Sequence, residues 1–218
     1  MIILIGGKKG GSGKSTITMN LASELARQKK DVMIVDTDRQ SSTAEWATER
    51  IRNQSTLPEI FCVQKYNEIH TTLLDLNKRY EYVLVDTAGR DAPELRSAMI
   101  VANKLLIPVR PSQLDLNTIP DMQKIIQESK LVNPNLLTLA VLSMAPTNPI
   151  VNEAKEAQEF LAEFPSITLL KTIVRDRKIY RDAVSEGLGV VEIDKTNESA
   201  RKAKKEIQDL VKEIFNGN

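Results

Sequence analysis

One short stretch carries most of the information in this sequence: Gly7-Lys8-Lys9-Gly10-Gly11-Ser12-Gly13-Lys14-Ser15-Thr16. It follows an apolar run and opens an amphipathic one, which is the strand–loop–helix setting of a phosphate-binding loop. Because glycines lack a Cβ, the backbone can wrap closely around an anion and direct its N–H groups at phosphate oxygens. We expect Lys14 to reach the β- and γ-phosphates, Ser15 to bring its hydroxyl to Mg²⁺ and Thr16 to contact the α-phosphate.

Short apolar runs alternate with amphipathic segments along the rest of the chain. We predict strands over Met1–Ile5, Val32–Val35, Glu59–Val63, Tyr82–Val85, Lys104–Val109, Leu137–Leu142 and Ile167–Leu170. We predict helices over Ser15–Lys29, Ser42–Arg52, Glu68–Lys78, Thr118–Leu131, Asn152–Phe164 and Glu198–Phe215. Continuous apolar strands separated by helices are typical of a parallel sheet covered on both faces. We therefore expect one α/β domain over residues 1–218, a doubly wound and mostly parallel sheet, with the last helix (about 198–215) packed on it.

Composition and charge exclude several classes of protein. Lys and Arg number 30 against 29 Asp and Glu, so no global basic field would hold the chain on nucleic acid. A single cysteine, Cys62, excludes an intrachain disulfide and a cysteine-only metal site, and a single His70 argues against a Ser-His-Asp triad. The amino-terminal apolar run is too short for a signal peptide, and no run approaches the ~20 residues that span a bilayer. We expect a cytoplasmic protein.

Acidic residues stand at the ends of two predicted strands. Asp36 and Asp38 follow Val32–Val35, and Asp86 follows Tyr82–Val85. Ligands of doubly wound sheets bind at the carboxyl ends of the strands, where carboxylates can serve Mg²⁺ and phosphates. A lone aspartate is more often a helix cap or a turn residue. The position of these three at the ends of apolar strands, downstream of a phosphate loop, favours a functional role instead.

The phosphate loop departs from the usual pattern G-x-x-x-x-G-K-[ST], since Lys8 stands where that pattern has glycine. It fits K-G-G-x-G-K-[ST] instead, with Lys9 ahead of the glycines. This pattern resembles the deviant Walker A motif of the ParA/MinD family of ATPases. The chain is most similar to small plasmid-type ParA proteins, and ATP rather than GTP follows from that resemblance alone.

The resemblance also implies roles for individual residues. Asp86 resembles the Walker B aspartate that faces Mg²⁺, Asp38 would orient the attacking water and contact the metal shell, and Asp36 would support that shell. In the family, the early lysine crosses to the nucleotide of a second subunit. We assign that part to Lys9, although the adjacent Lys8 leaves the register open. Slow ATP hydrolysis, raised by a partner, and an ATP-dependent homodimer are the implied activity.

Two further segments extend the likeness over nearly the whole chain. Residues 108–115 are similar to the family's P-x-x-P-S-x-x-D segment near the nucleotide, which places Pro111 and Asp115 at the cofactor. Residues 175–187 match R-x-R-x-x-x-x-x-A-x-x-x-G. One departure is Arg39, which replaces the proline of the family's D-x-D-P-Q and affects loop stiffness more than chemistry.

Partners follow from local basic groups and from the resemblance. Arg175, Arg177, Lys178 and Arg181 form one basic group, and Arg201, Lys202, Lys204 and Lys205 form another. Either group could bind double-stranded DNA without reading its sequence, or be an ordinary solvated helix face. The resemblance implies partition of a plasmid or chromosome, nucleoid association and a DNA-bound, ParB-like adaptor.

An alternative is a MinD-like or orphan ParA-like ATPase that positions a membrane or protein cargo. The last helix is basic and amphipathic, as a membrane-binding helix would be. Its apolar stripe also suits a helix that packs on the sheet, so we consider a membrane partner the weaker reading. A third class, the iron–sulfur relatives, needs cluster cysteines that Cys62 alone does not supply.

Overall fold

The computed structural model describes residues 1–53, 56–148, 152–194 and 197–216. The strands in these ranges are β1 (Ile2–Ile5), β2 (Val32–Asp36), β3 (Phe61–Gln64), β4 (Tyr82–Asp86), β5 (Lys104–Val109), β6 (Leu137–Ala145) and β7 (Thr168–Arg175). The helices are α1 (Lys14–Arg27), α2 (Ser42–Asn53), α3 (His70–Leu76), α4 (Pro93–Met99), α5 (Gln113–Leu116), α6 (Ile119–Lys130), α7 (Glu153–Leu161), α8 (Lys178–Ser185) and α9 (Glu198–Asn216).

The strands form one sheet in the order β3-β2-β4-β1-β5-β6-β7, and every pairing between them is parallel. Because β1 lies beside β4, and β4 beside β2, the loop after β1 meets the ends of both acidic strands. Ile5 pairs in register with Asp86, and Asp86 with Asp36. The predicted α/β class and parallel sheet are confirmed, and the topology brings the predicted site residues to one edge.

Helices cover both faces of this sheet. Along β1, Ile3 and Ile5 belong to a core shared with α1 and α9, whereas Ile2 and Leu4 belong to a second core shared with α4 and α6. All four side chains are at most 1% exposed. This two-sided burial explains why the strand is apolar at every position rather than at alternate ones.

Three short helices, α4, α5 and α8, were absent from the sequence prediction. α4 and α5 have too few apolar positions to show a period of 3.6 residues, whereas α8 carries Ile179, Tyr180 and Ala183 at helical spacing and could have been predicted. Strands β6 and β7 also run further than predicted, to Ala145 and Arg175. β7 is one of the sheet's two edge strands and buries only Leu170 and Val174, so its second half lacks a continuous apolar run.

Helix α9 covers the edge strand β7. Its apolar stripe is buried, as Ile207, Leu210 and Ile214 show at 0% exposure. On the same helix, the Glu213 carboxylate accepts hydrogen bonds from the backbone N–H groups of residues 171 and 172 (2.7 and 3.0 Å), which would otherwise point into solvent. Among the described residues, no helix combines the length and the apolarity that a bilayer crossing needs.

Candidate functional site

The loop between β1 and α1 has the tight turns that its glycines predict. Gly11 and Gly13 have φ values of 75° and 84°, in the left-handed region that side chains disfavour. A third glycine, Gly89, comes from the segment after β4 and packs directly on the loop. A Cβ at Gly89 would lie 2.4 Å from the backbone nitrogen of Gly10, so only glycine allows these two segments to meet.

Lys14 is the first residue of α1 and is 6% exposed. Its Nζ donates a hydrogen bond to the backbone oxygen of Lys9 at 2.8 Å, so the loop curls around the ammonium group. Burial lowers the pKa of Lys14, and the carboxylates of Asp86, Asp38 and Asp115 partly offset that effect. Phosphate oxygens placed in this loop would stabilise the charged form of Lys14 in the same way.

Asp86 ends β4 and is almost fully buried, at 1% exposure. Its Oδ2 accepts a hydrogen bond from the Thr43 hydroxyl at 2.5 Å, while Oδ1 has no hydrogen-bond partner within the described structure. Burial raises the pKa of Asp86 to about 7, against the lowering effect of the hydrogen bonds from Thr43 and Ser15. An unpartnered, buried carboxylate oxygen next to a serine hydroxyl suits a hard cation with oxygen ligands, so these residues fit Mg²⁺.

Asp36 ends β2, and hydrogen bonds hold both oxygens of its carboxylate. Its Oδ1 accepts from the N–H of Asp38 (3.0 Å), and its Oδ2 from those of Thr43 (3.2 Å) and Ala44 (3.0 Å). Oδ1 is therefore engaged by the loop after β2 and Oδ2 by the start of α2, and Asp36 does not line the cleft. The Asp36 carboxylate accepts a hydrogen bond from the N–H of Thr43, and the hydroxyl of Thr43 donates to Asp86. Asp36 thus helps to position Thr43 for its contact with Asp86.

Asp38 stands at the rim of the cleft and is half-buried. Its Oδ1 accepts from the N–H of Gln40 at 3.0 Å, so the carboxylate is held by its own turn. The neighbouring Arg39, which replaces the family's proline, lies 5.0 Å over the ring of Tyr66. The Arg39 side chain thus packs away from the turn that Asp38 presents.

The two lysines at the start of the loop differ in their surroundings. Lys8 is ion-paired with Asp121 of α6 at 2.9 Å. Lys9 is exposed, and its ammonium group has no ion-pair or hydrogen-bond partner among the residues that the structure describes. This difference supports Lys9, and not Lys8, as the lysine available to a second subunit.

The structure places Pro111 and Asp115 behind the loop, outside the main cleft. Pro111 is buried, and Asp115 is 5% exposed and accepts a hydrogen bond from the Ser112 hydroxyl at 2.9 Å. Asp115 borders a small cavity of about 10 Å³ under Gly7 and Lys9. Neither residue lines the large cleft, and their contact with a bound cofactor stays a prediction.

The cleft has a volume of about 360 Å³ and extends well beyond the loop. Its phosphate end is formed by residues 10–17 except Ser12, together with Asp38, Thr87 and Gly89. Ser12 instead accepts a hydrogen bond from Ser143 on its backbone oxygen. The opposite end was not predicted; it is lined by Ser143, Met144, Val174, Arg175, Asp176, Arg177, Tyr180 and Arg181.

The model of the CobQ/CobB/MinD/ParA nucleotide-binding domain matches residues 3–206. The chain belongs to this family. It is an ATPase of the ParA/MinD type, as the loop pattern K-G-G-x-G-K-[ST] at residues 9–15 predicts.

Relatives within the family differ in what their names describe. Maintenance of carboxysome distribution protein A of Halothiobacillus neapolitanus is 27% identical over 208 residues, covering 95% of this chain and 93% of that protein. Protein ParA of Rhizobium radiobacter is 28% identical over 149 residues, covering 66% of this chain and 64% of that protein. The solved structure of a Cyanothece McdA variant with ATP has a TM-score of 0.78 at 16% identity, with 100% of this chain and 96% of that one covered, and shows the same fold.

In this ParA/MinD-type chain, the first basic group borders the cleft instead of forming a separate surface. Arg177 is 11% exposed and ion-paired with Glu206 of α9 at 2.7 Å. The exposed pairs Arg181–Asp176 (2.8 Å) and Lys178–Asp182 (2.6 Å) neutralise two more of its cations. The Arg175 guanidinium donates to the backbone oxygen of Pro146. Arg177 is therefore a structural residue, and DNA binding by the other three stays a prediction.

Proposed function

We propose that this chain is an ATP-controlled molecular switch, which dimerises when ATP is bound and separates after slow hydrolysis. The observation that carries this proposal is the contrast between its two loop lysines. Lys14 is buried inside the loop, where it can neutralise its own nucleotide, and Lys9 is exposed without a partner among the described residues. The unpaired Lys9 ammonium group would interact most favourably with the phosphates bound by a second copy. Bound ATP would therefore stabilise the dimer.

The phosphate loop and the residues that follow β2 and end β4 would divide the chemistry of phosphoryl transfer among them. The loop amides and Lys14 would hold and neutralise the β- and γ-phosphates, and Ser15 and Asp86 would hold Mg²⁺. When bound, Mg²⁺ screens the charge that develops on the phosphates. Asp38 would orient the attacking water, while Thr43 and Asp36 keep Asp86 in position.

Release follows from the same contacts. A ligand shifts an equilibrium only by its difference in affinity for the two states. ATP offers Lys9 of the opposite copy a terminal phosphate that ADP lacks, so hydrolysis removes the contact that favours the dimer.

The switch would serve to distribute a large cargo, and we propose a protein assembly as that cargo. The support is the 27% identity, over nearly the full length of both chains, with a protein named for carboxysome distribution. The nature of the assembly is left open. Partition of a plasmid or chromosome is the second candidate, supported by the likeness to a ParA protein over 66% of this chain. In both cases the dimer would bind DNA nonspecifically as its track and respond to an adaptor bound to the cargo.

Co-sedimentation with ATP, with ADP and without nucleotide tests these proposals. We expect nonspecific double-stranded DNA to retain the wild-type protein with ATP alone, and anionic liposomes not to retain it. The Lys9→Ala variant should lose the ATP-dependent retention. Retention on liposomes but not on DNA would overturn the DNA track and favour a membrane-positioning ATPase.

A further inference from the structure

A second cation lies beside the phosphate loop, and neither the motif nor the proposed mechanism uses it. The Nη1 atom of Arg110 is 3.9 Å from where a Cβ on Gly11 would lie. Arg110 follows β5, so a different part of the chain brings it to the loop. Arg110 itself is not among the residues that line the cleft, although Gly11 beside it is.

The backbone around Arg110 is held firmly. The residue follows the buried end of β5 and precedes the buried Pro111, and its carbonyl accepts the N–H of Ser112 at 2.8 Å. Proline restricts the conformation of the residue before it as well as its own. The guanidinium therefore projects from a rigid base, as a recognition residue requires.

This guanidinium has no acidic partner. Among the described residues, Arg110 makes no side-chain hydrogen bond or ion pair, although it is half-buried. The nearby Lys9 also lacks a partner, and Lys8 is already paired with Asp121. Each copy of the chain thus carries two unneutralised cations at its phosphate loop, and two such loops repel each other unless an anion lies between them.

We propose that Arg110 is an intersubunit phosphate-recognition residue, which acts with Lys9 on the ATP bound by a second copy of this chain. The inference deepens the proposed function and rests on it. The triphosphate of the opposite copy supplies the anion that both cations lack, and a planar guanidinium can bind two phosphate oxygens at once. ADP offers less charge to this pair, so Arg110 would help the dimer distinguish ATP from ADP.

The surroundings favour a second copy over DNA as the source of that phosphate. Leu114, four residues further along the chain, is 70% exposed on α5. A large apolar side chain near the cations gains from contact with another protein surface and gains nothing from a DNA backbone. The same loop segment therefore offers apolar contact and charge together.

The test measures dimerisation and nucleotide binding separately for two Arg110 variants and a matched control. Arg110→Gln removes the charge, and Arg110→Lys keeps it without the planar fork. Arg79→Gln is the control. Arg79 is an exposed arginine just before β4, at the amino-terminal ends of the strands, whereas the phosphate loop lies at their carboxyl ends. Sedimentation velocity with Mg-ATP gives the dimer dissociation constant. Titration of dilute protein with a fluorescent ADP analogue gives the affinity of a single copy.

We expect Arg110→Gln to raise the dimer dissociation constant with ATP at least tenfold, with ADP affinity changed less than twofold. Arg110→Lys should recover part of that loss, and Arg79→Gln should behave as wild type. Unchanged dimerisation of Arg110→Gln would overturn the inference, as would a parallel loss of ADP affinity, because Arg110 would then serve its own loop. Loss of DNA binding by a dimer of normal stability would assign Arg110 to DNA instead and also overturn it. A wild-type protein that stays monomeric with ATP would contradict the proposed function itself.

Discussion

The two ends of the cleft are built in different ways. At the phosphate end, one continuous loop, residues 7–13, supplies the backbone, and Asp86 arrives on the strand beside it. At the opposite end, single residues of β6, β7 and α8 form the lining, among them Met144 of β6 and Tyr180 of α8. Phosphate chemistry needs a local backbone shape, which a short motif encodes, whereas the far end exists only after the sheet and its helices assemble.

Support for the two ends differs as well. The phosphate end is held by close backbone packing, where Gly89 meets Gly10. The far end is held by side chains: Glu206 of α9 accepts hydrogen bonds from Arg177 (2.7 Å) and from the Tyr180 hydroxyl (3.0 Å). Substitutions at the first end should therefore affect phosphate binding, and those at the second should affect stability more than phosphate binding.

The largest effect is expected from Lys14→Ala. Loss of the buried cation that faces the phosphates should weaken ATP binding on the order of 100-fold or more, because a charge-assisted contact in a buried site is strong. Isothermal titration with ATP measures it. Lys8→Ala is the control and should change affinity less than about threefold, since Lys8 forms an exposed ion pair. Equal losses in both variants would contradict the division of roles within the loop.

A pH effect comes next, through Asp86. Because burial raises its pKa to about 7, the folded protein without nucleotide holds a proton that the unfolded chain releases near pH 4. The free energy of unfolding should therefore fall as pH rises from about 4 to about 7, and this fall should disappear in Asp86→Asn. Mg²⁺ needs the carboxylate, so its affinity should drop about tenfold per pH unit below pH 7 in the wild type. Denaturant unfolding at pH 5 and pH 8 measures the change in the free energy of unfolding. The same change between the two pH values in the wild type and in Asp86→Asn would contradict the prediction.

Gly89→Ala tests the backbone packing that holds the phosphate end of the cleft. Its Cβ would lie 2.4 Å from a backbone nitrogen that cannot move without the loop, so we expect a loss of about 1–3 kcal/mol in the free energy of unfolding. Gly10→Ala is the matched control, because a Cβ at Gly10 meets no atom within 4 Å. Chemical denaturation of both variants without nucleotide should separate them. Equal stabilities would show that the two segments do not pack as described.

The smallest effect on nucleotide binding is expected at the far end. Arg177→Gln breaks a largely buried ion pair and should cost about 1–3 kcal/mol of stability, with ATP affinity changed less than about fivefold. Arg181→Gln removes an exposed pair and should cost less than about 1 kcal/mol. Thermal unfolding and ATP titration measure the two quantities. If Arg177→Gln lost more ATP affinity than Lys14→Ala does, the far end of the cleft would matter more for nucleotide binding than the phosphate end, contrary to our prediction.

The sequence predicted the class of fold, the loop and the strand that carries Asp86, because glycine spacing and apolar runs are local signals. It could not predict that Oδ2 of Asp36 is engaged by the start of α2, since that depends on where Thr43 lies in space. Nothing about Met144 or Tyr180 as single residues indicates that they line a cleft, since that depends on where β6 and α8 lie relative to the phosphate loop. Arg110 lay within a recognised segment, yet its position beside Gly11 depends on the approach of β5 to the phosphate loop.

The most direct test of the account is the molecular mass of the purified protein in solution with Mg-ATP, with Mg-ADP and without nucleotide, measured by light scattering. We predict a monomer without nucleotide and with ADP, a dimer with ATP, and a monomer under all three conditions for Lys9→Ala. A mass that does not respond to ATP, or a Lys9→Ala variant that dimerises as the wild type does, would contradict it.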